Sequence, residues 1–174
     1  MTTFYMVRHG EPDWFANEKY KFKGHGRDLV PLTNKGREQA RDTATVLKNK
    51  KAEIVIASPY TRAMQTAAIL SKELGLEIIV EVDLREWQPD LTYEYQTYEE
   101  FMQLCEEYEK YKGEYPIGDK KRWETKPILK SRVDEVLKRY LNYKEVIVVA
   151  HEMVIKTQID NGIVNYCELI EYIK

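Results

Sequence analysis

The chain has 174 residues, with 27 basic and 29 acidic side chains and a net charge of −2. This length fits one domain that can bury a single sizeable core. Hydrophobic residues make up 43% and charged residues 32%, which is typical of a folded globular protein. The near balance of charge argues against broad nucleic-acid binding, because that needs a basic excess or stripe. No apolar run approaches the roughly 20 residues that span a bilayer, so no membrane partner is expected.

The N-terminus and the cysteines indicate the cellular compartment. Met1-Thr2-Thr3 leads directly into a strand pattern, without the layout of a signal peptide. The two cysteines, Cys105 and Cys167, have no metal-ligand spacing. Free, buried thiols in a reducing cytoplasm are the simplest interpretation. The sequence gives no indication of an oligomeric state.

The first half of the chain predicts two strands and two helices. Phe4–Val7 and Ile54–Ala57 are continuous apolar runs, as expected of strands that are covered on both faces. A helix is predicted from Thr33 to about Asn49. Ser58-Pro59 predicts an N-cap followed by a proline at the first helical position, and Gly75 ends that second helix. Its inner face has a stripe of apolar side chains, namely Ala63, Ala67, Leu70 and Leu74.

The second half continues the alternation after an interruption. Glu77–Val82 predicts a weak strand, Pro127 opens a helix, and Val146–Ala150 predicts a further buried strand. Cys167–Ile173 alternates and predicts an edge strand. Residues 88–126 are rich in Tyr, Glu and Lys and are interpreted as an insertion over the edge of the sheet at which a ligand is expected to bind. One amphipathic helix in it is marked by Tyr98, Phe101, Cys105 and Tyr108.

This order of elements predicts the fold class. Strands that alternate with helices indicate an α/β fold, a three-layer α/β/α sandwich with a mainly parallel central sheet. We expect residues 1–174 to form one domain, with the insertion as part of it. In such sheets, ligands bind at the carboxyl ends of the strands.

Four polar residues fall at or just past this carboxyl edge, and Arg8 is a further basic side chain there. The first predicted strand leads into Arg8-His9, and His151 directly follows the strand Val146–Ala150. Arg62 follows the second strand in the first turn of a helix, where the helix dipole is already positive, so both suit an anion. Glu86 follows the weak strand. Each residue alone could be a polar loop residue, a surface ion pair or a solvated charge, but their coincidence at one edge favours a site.

Three motifs together resemble the histidine phosphatase superfamily, also called the phosphoglycerate mutase-like family. They are Arg8-His9-Gly10, the stretch Leu32-Thr33-Asn34-Lys35-Gly36-Arg37-Glu38-Gln39-Ala40, and Ser58-Pro59-Tyr60-Thr61-Arg62-Ala63-Met64-Gln65-Thr66-Ala67. The second histidine, His151, follows a hydrophobic strand as in that family. The match spans nearly the whole chain, and the combination of motifs is highly specific.

The resemblance implies a mechanism. His9 is expected to be the nucleophile and to form a phosphohistidine, with a backbone carbonyl fixing its tautomer. Arg8 and Arg62 would bind the phosphoryl oxygens through planar forks of donors. His151 is expected to be protonated and to add a further donor. Glu86 would act as acid and then base. No metal or cofactor is expected.

The chain departs from the family pattern at three places. Glu152 follows the second histidine where a glycine is usual, which puts a carboxylate beside the expected phosphate pocket. Trp14 is followed by Phe15, and Asn17 is the candidate for an asparagine that contacts phosphate. Trp87-Gln88-Pro89-Asp90 replaces a usual Trp-Glu-Gly. Substrate contacts are therefore expected to differ from those of relatives.

Three functions remain open. The first is a phosphatase for a small phosphorylated metabolite, the second a phosphoglycerate mutase, and the third a non-catalytic module that binds a phosphorylated ligand. The modest insertion favours the phosphatase, because a mutase must keep water from its phosphoenzyme. His25 is either a loop residue or a substrate contact. Several tyrosines could stack on a substrate ring or fill the core of the insertion, among them Tyr93, Tyr95, Tyr98 and Tyr115.

Overall fold

A five-stranded sheet lies at the centre of the computed structural model, which describes residues 1–159 and 162–174. The strands are β1 (Thr3–Arg8), β2 (Ile54–Ala57), β3 (Ile78–Val80), β4 (Glu145–Ala150) and β5 (Leu169–Ile173). Their order is β3-β2-β4-β1-β5. The first four are parallel, and β5 pairs antiparallel with β1. The mainly parallel α/β fold and the edge position of the last strand are confirmed.

Helices cover both faces of this sheet. Their bounds are α1 (Trp14–Tyr20), α2 (Asn34–Leu47), α3 (Thr61–Leu74), α4 (Tyr98–Lys110), α5 (Lys126–Lys138) and α6 (Glu152–Lys156), with 3₁₀ turns at Gly24–Leu29 and Val82–Leu84. The short helices α1 and α6 were not anticipated from the sequence. No helix in the described part of the chain is long and apolar enough to cross a membrane.

The side chains of β1 point alternately to the two faces of the sheet, and the core has one layer on each face. Tyr5 and Val7 pack with α2 and α3 on one face of the sheet. Phe4 and Met6 pack on the other face with α5 and with aromatic residues from the 88–126 stretch. Side chains of successive strand residues point to opposite faces, so one continuous apolar run supplies both layers. The result is the three-layer arrangement expected from the sequence.

Helix α3 begins later than the sequence predicted. Tyr60 occupies the N-cap position and makes no side-chain capping bond, so the expected Ser58 cap is wrong. The Ser58 hydroxyl instead hydrogen-bonds His151 Nε2 at 2.7 Å, which ties β2 to β4. Two other predicted helix ends agree with the structure. The Thr33 hydroxyl accepts the Gly36 amide at 2.9 Å, and Gly75 ends α3 at φ +70°.

Two glycines allow the first turn of α2 to lie against the loop after β1. A Cβ on Gly36 would overlap the Glu11 carbonyl and stand 2.8 Å from its amide nitrogen. A Cβ on Gly10 would in turn overlap the Gly36 carbonyl. This backbone contact explains why both motifs contain glycine, and it fixes the segment that follows His9.

We expect Gly36→Ala to destabilise the fold by about 1–3 kcal/mol, because backbone atoms must move to admit the new methyl group. An alanine in a helix would otherwise be the more stable choice by about 1 kcal/mol. Denaturant unfolding measures the difference. Gly162→Ala is the control, because a Cβ there meets no atom of the described residues within 4 Å. Equal free energies of unfolding for wild type and Gly36→Ala would contradict this account.

Candidate active site

Residues from four strand ends meet at the carboxyl edge of the sheet. Arg8 is the last residue of β1 and His9 follows it, Arg62 lies in the first turn of α3, and Glu86 follows the second 3₁₀ turn. All four line one cavity of about 320 Å³. His151 lies behind His9 and is fully buried, with 5.1 Å between the ring centroids.

The His9 ring is held by two hydrogen bonds. Its Nδ1 lies 2.8 Å from the Gly10 carbonyl, which can only accept, so Nδ1 carries the proton. Nε2 therefore keeps its lone pair, and Arg62 Nε donates to it at 3.2 Å. Burial and the neighbouring Arg62 cation lower the pKa of His9 to about 3. The imidazole is thus neutral over the physiological range, as a nucleophile must be.

The two arginines of the site, Arg8 and Arg62, have different partners. Arg62 is buried, and its Nη1 has no hydrogen-bond partner among the described residues. The nearest carboxylate to Nη1 is Asp28 Oδ1, at 3.9 Å. Arg8 stacks on the Tyr166 ring at 4.4 Å and forms an ion pair with Glu152 at 2.9 Å. A buried guanidinium with a free donor is suited to bind an oxyanion.

His151 is a neutral donor in this site. The Ser58 hydroxyl accepts the Tyr60 amide at 3.3 Å, so its own hydrogen is available to His151 Nε2. Nδ1 then carries the proton, and it is buried without a partner among the described residues. Burial, reinforced by the Arg62 cation, lowers the pKa of His151 well below its usual value. The protonated state expected from the sequence therefore does not hold for the site as it stands.

The carboxylate of Glu86 is half-buried at the cavity wall. It accepts the backbone amide of Trp87 at 2.8 Å. Burial raises the pKa of this carboxyl, while the Trp87 amide and the Arg62 cation oppose the shift. A carboxyl with a raised pKa can hold a proton for donation.

Arg132 positions the Glu86 segment, and sequence reasoning missed it. Its guanidinium forms a buried ion pair with Glu124, at 2.6 Å from Nε. It also donates to the carbonyls of Arg85 at 2.8 Å and Glu86 at 3.1 Å. A pair of charges that is hydrogen-bonded on all sides fixes this backbone, and no local pattern around Arg132 signals that role.

Three further residues of the 11–30 region differ in their relation to the cavity. Asp28 and His25 line it, and His25 Nδ1 lies 3.3 Å from Asp28 Oδ2. Asp28 was not singled out from the sequence, although it follows the Gly24-His25-Gly26-Arg27 segment directly. Asn17 lies on α1, one turn after Trp14, and is not among the residues that line the cavity. Its contact with phosphate stays a prediction.

Comparison with known proteins places the chain in a family. The profile of the Histidine phosphatase superfamily (branch 1) matches residues 4–162. The chain belongs to this superfamily. A Bacillus subtilis relative, "Uncharacterized phosphatase PhoE", is 37% identical over 86 residues, which is 49% of this chain and 42% of that protein. "Probable phosphoglycerate mutase GpmB" of Photorhabdus laumondii is 40% identical over 86 residues, 49% of this chain and 38% of that protein.

Solved structures agree on the fold of this superfamily member. Bacillus stearothermophilus YhfR superposes with a TM-score of 0.69 at 26% identity, covering 90% of this chain and 77% of the other. A mycobacterial glucosyl-3-phosphoglycerate phosphatase, in complex with VO3, superposes with a TM-score of 0.72 at 20% identity. That match covers 98% of this chain and 90% of the other. The curated relatives named above are matched over less than half of their own length, so their activities carry over only as hypotheses.

Glu152→Gln should strengthen the binding of inorganic phosphate by about twofold to fivefold. The substitution removes the carboxylate that holds Arg8 and that repels an incoming anion, and a partly exposed pair contributes about 1 kcal/mol at most. Isothermal titration calorimetry with phosphate measures the dissociation constant. Glu73→Gln, which breaks a 3.2 Å pair with Lys48 far from the cavity, is the control. Weaker binding would mean that Glu152 positions Arg8 rather than competing with phosphate.

Proposed function

We propose that this protein is a metal-independent phosphatase that hydrolyses a small phosphomonoester through a phosphohistidine on His9. The observation that carries the proposal is the geometry of His9. Its proton is fixed on Nδ1, its Nε2 accepts a hydrogen bond from Arg62 Nε at 3.2 Å, and its pKa is lowered to about 3. This is a neutral nucleophile beside a cation that suits a phosphoryl group.

The first step transfers the phosphoryl group to the enzyme. Nε2 of His9 attacks phosphorus, and the bond from phosphorus to the leaving oxygen breaks. Protonated Glu86 gives its proton to that oxygen, so the alcohol leaves neutral. Arg8 and Arg62 donate to the phosphoryl oxygens, and the Nδ1 proton of His151 is a further donor behind His9. The two guanidinium cations offset the negative charge of a loose transition state.

The second step returns the enzyme to its starting state. A water oxygen attacks the phosphorus of the phosphohistidine, and Glu86, now a carboxylate, takes a proton from that water. The bond between phosphorus and Nε2 breaks, which releases inorganic phosphate and neutral His9. Trp14 lines the cavity and is 46% exposed, so the mouth is open to water. Access of water favours hydrolysis over transfer to a second substrate.

Phosphoglycerate mutase activity is the second candidate, because relatives described as probable phosphoglycerate mutases match this chain. In that reaction the phosphohistidine passes its phosphoryl group to a phosphoglycerate instead of water. Two unpaired cysteines favour a reducing, cytoplasmic location for either activity.

Hydrolysis of an aryl phosphate should proceed in the presence of a metal chelator, and His9→Asn should reduce it at least about a thousandfold because no nucleophile remains. Release of inorganic phosphate measures the rate. A phosphoryl label that is acid-labile and base-stable on the wild-type protein, and that is absent from His9→Asn, would identify phosphohistidine. Interconversion of phosphoglycerates that depends on a bisphosphoglycerate primer would select the mutase. Tight phosphate binding without any turnover would select the non-catalytic module.

The kcat/KM of the wild type should fall as pH rises through the raised pKa of Glu86, because an acid without its proton cannot protonate the leaving oxygen. His9 causes no loss on the acid side until the pH approaches its pKa of about 3. Glu86→Gln should abolish the decline that Glu86 causes and lower kcat for alkyl phosphates by about 10²–10⁴. The substrate's own ionisation affects both enzymes alike. An unchanged profile in Glu86→Gln would assign the acid to another residue.

A further inference from the structure

Aromatic side chains make up much of the cavity lining. The rings belong to Trp14, Tyr60, Trp87, Tyr95, Phe101 and Tyr108. Tyr60 lies at the phosphate end, with its ring centroid 5.3 Å from the Arg62 guanidinium carbon. We call the part lined by Trp87, Tyr95, Phe101 and Tyr108 the outer cavity. Tyr95 and Tyr108 are themselves buried, and the Tyr95 hydroxyl is already used by the Gly24 carbonyl at 2.9 Å. These rings therefore offer flat apolar surface rather than free polar groups.

Helix α4 contributes one wall of this outer cavity. Phe101, Cys105 and Tyr108 follow one another at helical spacing, and all three line the cavity. Cys105 has the smallest side chain of the three, and we call the space in front of it, between the longer side chains of Phe101 and Tyr108, the recess. Burial raises the pKa of its thiol to about 11, which keeps the thiol neutral and apolar in character. The side chains around the recess therefore have the polarity to contact a flat apolar group.

The charges around the cavity disfavour a second acidic group. Glu109 lines it one residue after Tyr108, and Asp28 lines it with its Oδ1 3.9 Å from Arg62 Nη1. Arg27 is the one guanidinium of the outer lining among the described residues, and it is already covered by aromatic rings. Its guanidinium carbon lies 4.8 Å from the centroid of Phe101, 5.2 Å from Tyr98 and 5.7 Å from Trp14. An additional carboxylate would meet two like charges and a cation that is partly shielded.

We propose that the substrate is a phosphomonoester whose alcohol part is an aromatic or similarly flat apolar group without a carboxylate. The phosphate lies against His9 and Arg62, and the ring lies in the recess at Cys105, between Phe101 and Tyr108. This inference rests on the proposed phosphatase function and adds the substrate class to it. The three-carbon acid of a phosphoglycerate would leave the aromatic wall exposed to water and gain nothing from it.

The test compares 2-phenylethyl phosphate with propyl phosphate. Both release a primary alkoxide of similar basicity, so a difference in kcat/KM reports contacts made by the ring rather than intrinsic reactivity. We expect a preference of about tenfold to a hundredfold for the phenylethyl ester, which corresponds to burial of one aromatic ring. Equal values, or a preference for 3-phosphoglycerate over the phenylethyl ester, would overturn the proposal.

Variants of α4 locate the ring. Cys105→Trp fills the recess and should reduce the phenylethyl-to-propyl ratio of kcat/KM by about tenfold or more. Cys105→Leu is a smaller change and should reduce this ratio about threefold, so the test still holds if the Trp variant misfolds. Met102→Trp adds the same side chain on the same helix at a 37% exposed position and should leave the ratio unchanged. A ratio that is unaffected in both Cys105 variants would place the ring elsewhere and overturn the proposal.

Turnover tests the phosphatase proposal, and the binding of substrate analogues tests the aromatic subsite separately. If neither these two esters nor the aryl phosphate is hydrolysed, the phosphatase proposal is wrong. The affinities of 2-phenylethylphosphonate and propylphosphonate, measured by calorimetry, then test the aromatic subsite without any turnover. Tighter binding of the phenylethyl compound, lost in Cys105→Trp and kept in Met102→Trp, would support the subsite; equal affinities would overturn it.

Discussion

The contact between the Arg62 guanidinium and the His9 ring is the constraint on which the site depends. Taking a guanidinium out of water is costly unless its donors are satisfied or an anion lies nearby. Arg62 meets this demand with one bond to His9 Nε2 and with the Asp28 carboxylate at the longer distance of 3.9 Å. The same cation, together with burial, keeps His9 neutral. One contact therefore serves both the binding of an anion by Arg62 and the nucleophilic role proposed for His9.

The rest of the fold holds this contact in place from several directions. The backbone contact of Gly10 with Gly36 fixes the segment after β1 against α2. Ser58 joins the end of β2 to His151 at the end of β4. Arg132 on α5 binds the carbonyls that precede and include Glu86. Each tie connects residues that are far apart in sequence, so the site forms only when the three layers are assembled.

The stretch between residues 88 and 126 has a different role from the sheet edge. Asp90 anchors it, because this fully buried carboxylate accepts the amides of Thr92, Glu94 and Tyr95 and pairs with Arg122. These bonds hold the pKa of Asp90 below its usual value. With the start of the stretch fixed, α4 lines the same cavity as His9, Arg62 and Glu86. The residues of the proposed chemistry thus come from strand ends, and the outer wall comes from a segment with its own anchor.

The sequence by itself determined the sheet and the edge at which Arg8, His9, Arg62 and His151 lie together. Apolar periodicity and residues placed directly after strands are local signals, and parallel strands bring their carboxyl ends together. The sequence also placed the amphipathic stripe of α4, but not what that stripe faces. Its prediction of a Ser58 helix cap failed because a tertiary bond to His151 outweighed a local one.

Only the tertiary structure decided the protonation and the shape of the site. The neutral state of His151, the raised pKa of Glu86 and the pairing of Arg8 with Glu152 depend on burial and on charges that come from distant segments. Neither Asp28 in the cavity wall nor Arg132 behind Glu86 has a local signature. Desolvation and Coulomb interactions act through space, so these properties exist only once the chain has folded.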